Sequence, residues 1–180
     1  KPDAAILASG AAPIVPKTPG ADGKNVFESH AALAGADVPG GNVVVIGGGL
    51  VGIEVAEYFA QKGAHVAVVE MKDAILTEMG MLRKISTQMS MAREDITVLL
   101  NTTCKRIEGS QVVVESEGAE KTLPADAVIM AIGSKPRSTQ ALEDTCKRLN
   151  IPCFVLGDAK AAPPLALDAI HEASDAVLHI

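Results

Sequence analysis

Val43-Val44-Val45-Ile46 followed by Gly47-Gly48-Gly49-Leu50-Val51-Gly52 constrains this chain more than any other segment. An apolar β-branched run stops in a glycine-rich turn, and the turn feeds an amphipathic stretch reading IEVAEYFAQKG. Strand, tight turn and helix form the context in which G-x-G-x-x-G signifies dinucleotide binding. Gly47 permits the turn, Gly49 lets the backbone approach a pyrophosphate, and Gly52 lets the helix pack close to the strand. The free N–H groups of the first helical turn, at Leu50 and Val51, and the positive dipole end then face the phosphates.

A helix over 51–62 is expected to stop at Gly63, and His65-Val66-Ala67-Val68-Val69 reads as the next parallel strand. It ends in Glu70. A carboxylate at that tip accepts hydrogen bonds from both ribose hydroxyls of NAD and repels the extra 2′-phosphate of NADP. The sequence therefore favours NAD, although Lys72, two residues on, partly offsets the repulsion.

At 180 residues the chain has room for one good core or two small lobes. A net charge of −6 and no Lys/Arg cluster argue against nucleic acid as a partner. Aromatic residues make up 2%, whereas Ala, Val, Ile and Gly abound, as suits buried parallel strands under closely packed helices. The most apolar window, 43–53, is about half a bilayer span and is broken by glycines, so no membrane-spanning helix is expected. The chain opens on Lys1-Pro2-Asp3 and runs straight into a strand, with no signal-peptide pattern. Cys104, Cys146 and Cys153 share no C-x-x-C spacing and read as free thiols of a reducing, cytoplasmic compartment. His30, His65, His171 and His179 are scattered, and His171 reads as an ordinary helix-surface residue. No hydrolytic triad and no metal site emerges.

Along the chain, 3–10 reads as a short strand, 11–20 as a proline-broken loop, 26–36 as a short helix and 37–41 as a linker. A Met-rich helix is expected over roughly 76–92, with Met79, Met81, Met89 and Met91 as core filler or an interface. A strand at 96–100 and a β-meander over 102–108, 111–117 and 120–124 come next. Residues 127–132 form a further strand ending in the turn Gly133-Ser134-Lys135-Pro136. Residues 153–158 read as a strand with an acidic end, and 166–179 as a helix. The fold class is thus α/β: a Rossmann-like parallel sheet with an inserted three-stranded β-meander.

The ordered set of an A-S-G strand end, VVVIGGGLVGIEVA, a VVE strand end, a meander, ADAVIMAIGSKP and VLGDA resembles the pyridine nucleotide-disulfide oxidoreductase superfamily of two-dinucleotide-domain flavoproteins. VVEM at 68–71, GSKP at 133–136 and DAIHEASDA at 168–176 are most similar to the old-yellow-enzyme-like NADH:flavin oxidoreductases. That group includes the 2,4-dienoyl-CoA reductases, 2-enoate reductases and trimethylamine dehydrogenase. The resemblance implies partial FAD-binding segments at 1–38 and 138–180 around an NAD(H)-binding domain at 39–137. Asp158 would bond the ribityl chain of FAD, with Gly157 allowing close approach and Ser9 and Gly10 at the neighbouring strand end. Gly47, Gly49, Gly52 and Glu70 would hold NAD(H), Glu54 would point toward the nicotinamide and flavin, and Gly133 would line the opposite side of the nicotinamide cleft.

The family's first G-x-G-x-x-G, its FMN barrel and its 4Fe–4S cysteines would all lie upstream of Lys1. The chain is therefore expected to be a piece of a larger enzyme, inactive alone, whose partner is the remainder of that flavoprotein. Bare apolar surface would favour a homo-oligomer. The parent would pass a hydride from NADH to FAD and reduce an activated alkene, with no side chain here acting as acid, base or nucleophile. Alternatives are a non-catalytic ADP-binding module, or the NADH domain of an NADH oxidase, ferredoxin reductase or disulfide reductase.

Overall fold

Val43 and Val45 face one side of their strand, Val44 and Ile46 the other, and all four are buried. A strand buried on both faces must lie between two packed layers. The computed structural model describes residues 2–77, 80–162 and 166–180, which form two compact units. The central unit is Val15–Ile132; the flanking unit joins the residues up to Ile14 to Gly133–Ile180.

The chain opens in the flanking unit with β1 (Ala5–Leu7) and β2 (Ala11–Pro13). The central unit then begins with β3 (Val26–Glu28), α1 (Ser29–Leu33), β4 (Asn42–Ile46), α2 (Leu50–Ala60) and β5 (His65–Val69). It continues with α3 (Met81–Met91), β6 (Ile96–Leu99), β7 (Thr102–Glu108), β8 (Gln111–Ser116), β9 (Ala119–Pro124) and β10 (Ala127–Met130). The chain returns to the flanking unit for β11 (Ser134–Pro136), α4 (Gln140–Arg148), β12 (Cys153–Val155), a 3-10 turn at Gly157–Ala159 and α5 (Ala166–Val177).

The central sheet is parallel throughout, in the order β3-β10-β4-β5-β6. Val43, Val45, Val66, Val68 and Ile129 meet Ile53, Ala56 and Phe59 of α2 on one face. Val44, Ile46, Val128 and Met130 on the other face meet Ile107, Val112 and Val114 of the antiparallel β7-β8-β9 meander. The meander thus takes the place of a second helical layer. Burying each such side chain stabilises the unit by about 1.5–3 kcal/mol. The architecture is the mixed α/β, Rossmann-like one that the sequence pattern implies.

Several local expectations need correction. The stretch read as helix 26–36 begins instead as β3, because Val26, Phe27 and Glu28 pair with Val128, Ile129 and Met130. Its helix is only Ser29–Leu33, and residues 15–38 thereby join the central unit. The proline loop and the GSKP turn are not both irregular: Ala11–Pro13 and Ser134–Pro136 pair as antiparallel strands. The strand expected over 153–158 stops at Val155, where the 3-10 turn takes over. Helix α3 starts at Met81, after a backbone reversal at Leu76; Glu78 and the expected Met79 lie outside the described residues. Met91 is core filler, whereas Met81 and Met89 are exposed. The three cysteines are free, as their spacing indicated.

The β3–α1 junction is held by Glu28. Its carboxylate accepts the Ala31 N–H at 3.0 Å, the Ser29 hydroxyl at 2.8 Å and a bond with His30 Nδ1 at 2.7 Å. Burial pushes this carboxyl up, but the bonds from His30, Ser29 and Ala31 outweigh it and bring it down to about 2 from 4.5. A depressed folded-state value means that the contribution is complete above about pH 4.5 and is lost as the pH falls through about 2. Glu28→Ala should cost about 1 kcal/mol at pH 7 through loss of the cap. Urea unfolding at pH 7, 4 and 3 should show the gap to wild type closing as the pH falls.

Candidate nucleotide-binding site

The parallel strands β4, β5 and β10 end at one edge of the central sheet, and the glycine turn crosses that edge. Gly47 has φ +112°, its N–H donates to the Val69 carbonyl at 2.9 Å, and a Cβ there would run into the Ala131 carbonyl. A Cβ on Gly52 would run into the Gly47 carbonyl, so α2 rests its first turn directly on the glycine turn. Gly49 differs: it is the N-cap of α2, in extended conformation, with nothing within 4 Å of where a Cβ would stand. The helix has no side-chain cap and no acidic residue in its first turn. The backbone N–H groups of Leu50 and Val51 therefore open toward the free space beside Gly49, as anion binding requires. Glu54 follows on the exposed side of α2.

Glu70 closes the site from the end of β5. It is only 8% exposed. Its Oε2 accepts the Gly48 N–H at 2.6 Å, and its Oε1 accepts the Lys72 N–H at 2.8 Å. A carboxylate offers about four acceptor positions, so these two bonds fix its direction and leave capacity for a diol. The Gly48 carbonyl in turn accepts the N–H of Leu76, a buried residue in the left-handed region at φ +54°. Such backbone strain costs on the order of 1–3 kcal/mol and persists only where the surroundings enforce it. Sequence reasoning missed Gly48 and Leu76. Gly48 sits at a variable position of the fingerprint, and nothing in the local sequence marks Leu76.

Gly48, Gly49, Leu50, Glu70, Lys72 and Leu76 line most of a cavity of about 60 Å³. A larger groove of about 450 Å³ lies at the opposite edge, between Gly20, Asn25, Ile107 and Asp126. Its polar groups already serve the fold: Asn25 Nδ2 donates to the Gly109 carbonyl at 2.9 Å, and Asp126 Oδ2 accepts the Asn42 N–H at 2.7 Å. The smaller cavity is the candidate site, because the open glycine, the uncapped helix and the oriented carboxylate converge there.

In the flanking unit β1 and β12 run parallel, so Ser9-Gly10 and Gly157-Asp158 leave the same end of the pair. The Gly10 carbonyl accepts the Arg137 N–H, and Arg137 Nε donates to the Ala11 carbonyl, both at 3.0 Å. Gly133 belongs to this unit too, where its carbonyl accepts the Ile14 N–H at 3.0 Å. Asp158 is exposed, and the Gly157 N–H donates to Glu172, a residue that sequence reasoning did not single out. Among the described residues no cluster of His, Cys, Asp and Glu could hold a metal, and no helix is long and apolar enough to cross a membrane.

Residues 1–160 match the pyridine nucleotide-disulphide oxidoreductase family. A bilirubin reductase of Mediterraneibacter gnavus is 37% identical over 79% of this chain and 23% of its own length. An NADH oxidase of Thermoanaerobacter brockii is 36% identical over 88% of this chain and 25% of its own. Among solved structures, a 2-naphthoyl-CoA reductase in complex with 2-naphthoyl-CoA superposes with a TM-score of 0.84 at 28% identity, covering 95% of this chain and 26% of that one. The chain spans about a quarter of the length of these relatives.

The two glycines should respond oppositely to alanine. Gly52→Ala forces a backbone shift and should cost roughly 1–3 kcal/mol or more, whereas Gly49→Ala enters open space and should change stability by less than about 1 kcal/mol. Thermal denaturation of the two variants beside wild type checks the contrast.

Proposed function

This chain belongs to the pyridine nucleotide-disulphide oxidoreductase family, and from that premise we propose that its central unit holds NAD(H) in a flavin-dependent oxidoreductase. The observation that carries this reading is the Glu70 carboxylate, oriented by the Gly48 and Lys72 N–H groups beside an open glycine turn. In this reading Leu50 and Val51 donate their N–H groups to the pyrophosphate, Gly49 leaves room for it, and Glu70 accepts the ribose hydroxyls. Glu54, exposed on α2, is assigned to the nicotinamide side. Asp158, with Ser9, Gly10 and Gly157 nearby, is assigned to the ribityl chain of FAD.

When bound, the nicotinamide and flavin supply the redox chemistry, a hydride passing from one to the other. The protein's part is placement. The α2 dipole favours the negative pyrophosphate, and the Glu70 carboxylate disfavours a second phosphate on the ribose.

We assign the chain to the old-yellow-enzyme-like group, with an activated alkene of enoate or dienoyl-CoA type as final acceptor. Likeness to a reductase that holds 2-naphthoyl-CoA, together with the DAIHEASDA and GSKP stretches, supports that assignment. FMN and a 4Fe–4S centre are assigned to the remainder of the parent protein, which is also the partner proposed for this chain.

Calorimetry with NADH, NADPH and ADP tests the nucleotide reading. NADH should bind more tightly than NADPH and than ADP. Glu70→Ala should weaken NADH by about tenfold or more, the scale of a lost bond to a charged group, and should narrow the preference over NADPH. Unchanged discrimination in that variant removes Glu70 as the ribose contact. Equal affinity for NADH and ADP removes the hydride-donor reading and leaves a nucleotide module.

A further inference from the structure

One side chain of the DAIHEASDA stretch holds the turn that leaves β12. Glu172 reaches back from α5: Oε2 accepts the Gly157 N–H at 2.7 Å, and Oε1 accepts the Lys160 ammonium at 2.8 Å. The Gly157 carbonyl accepts the N–H groups of Lys160 at 2.8 Å and Ala161 at 3.1 Å. Both backbone polar groups of Gly157 are therefore occupied. One helical turn before Glu172, the Ala169 methyl lies 3.4 Å from where a Cβ on Gly157 would stand. Residues three apart share a helix face, so α5 touches the turn at two points of a single stripe.

A three-residue 3-10 turn built on a glycine at φ +60° holds its shape weakly by itself. Without Glu172 the Gly157 N–H loses its acceptor. The Lys160 ion pair is about half-exposed on the lysine side, and such pairs contribute little. The charge-assisted bond to the backbone is the stronger of the two contacts. Because a protein carboxylate occupies the Gly157 N–H, that group is not offered to a ligand phosphate. The neighbouring Asp158 side chain is exposed.

We infer that Glu172 is a positioning residue: its carboxylate pins Gly157 against α5 and so fixes the direction in which Asp158 is presented to a hydroxyl-bearing ligand. The ligand's identity rests on the flavin reading of Asp158 given above. The Lys160 ammonium, and after it the Gly157 N–H, hold the Glu172 carboxyl below the usual carboxylate range, which supplies a spectroscopic handle on the same contact.

Amide exchange and pH titration by nuclear magnetic resonance on this chain test the inference. Glu172→Ala should speed exchange at Gly157 by roughly tenfold or more, the equivalent of one lost hydrogen bond, and leave β4 and β5 unchanged. Glu172→Gln keeps an acceptor oxygen and should retain most of the protection. In wild type the Gly157 amide shift should follow a titration with its midpoint below the usual carboxylate range, and in Glu172→Gln that titration should vanish. Equal exchange in wild type and Glu172→Ala, or a titration that persists in Glu172→Gln, overturns the inference. FAD added to millimolar concentration judges the flavin reading separately. Asp158→Ala should keep the Gly157 protection and lose the FAD-induced shifts at 157–160. Shifts that survive in that variant, or that are missing from wild type, overturn the flavin role of Asp158, while the exchange data still decide the role of Glu172.

Discussion

The backbone of α2 at Gly52 lies so close to the Gly47 carbonyl that a side chain at Gly52 cannot be accommodated, and the site is organised around that approach. It sets the first turn of the helix on the exit of β4 and aims the Leu50 and Val51 N–H groups past Gly49 into open space. It also leaves the Gly48 peptide between two neighbours, with its N–H on the Glu70 carboxylate and its carbonyl on the Leu76 N–H. The strained Leu76 conformation is held there by its burial and by that bond. The glycine turn and the Glu70 carboxylate are thus coupled through one peptide unit rather than merely adjacent.

That geometry needs a rigid support, and the sheet beneath it is covered on both faces. Alternation within β4 sends Val43 and Val45 to α2 and Val44 and Ile46 to the meander. Among the described residues the meander strands pair only with one another, yet Val112 and Val114 seal the face that a second helix would otherwise cover. The flanking unit uses a different device. Its turn at Gly157 is held by a carboxylate reaching back from α5, with the Ala169 methyl of the same helix beside it. In both units an acidic side chain directs a backbone N–H at a strand exit: Glu70 at Gly48, and Glu172 at Gly157.

Much of this was legible in the chain itself. The strand–turn–helix context, the acidic end of β5 and the three meander strands follow from local periodicity and turn chemistry, and their order matches the observed sheet. Where local reading failed, a long-range partner had decided the outcome. Val26-Phe27-Glu28 is strand because β10 lies beside it, although the following SHAAL continues into a helix. Ser134–Pro136 is strand because Ala11–Pro13 pairs with it from the other end of the chain. Helix α3 begins after Leu76 turns into the left-handed region, a reversal that no glycine announces.

The sequence by itself determined where the tight turn lies, since a Cβ on Gly52 collides with the carbonyl of Gly47, five residues back in the same segment. It likewise determined that a carboxylate, Glu70, follows directly on the apolar run of β5. Only the tertiary structure decided where those carboxylates point. Glu70 turns to the Gly48 N–H, and Glu172 to the Gly157 N–H, because folding brings unpaired backbone donors within reach across 22 and 15 residues. A bond of that kind depends on the meeting of two chain segments, and neither segment carries a local pattern that records it.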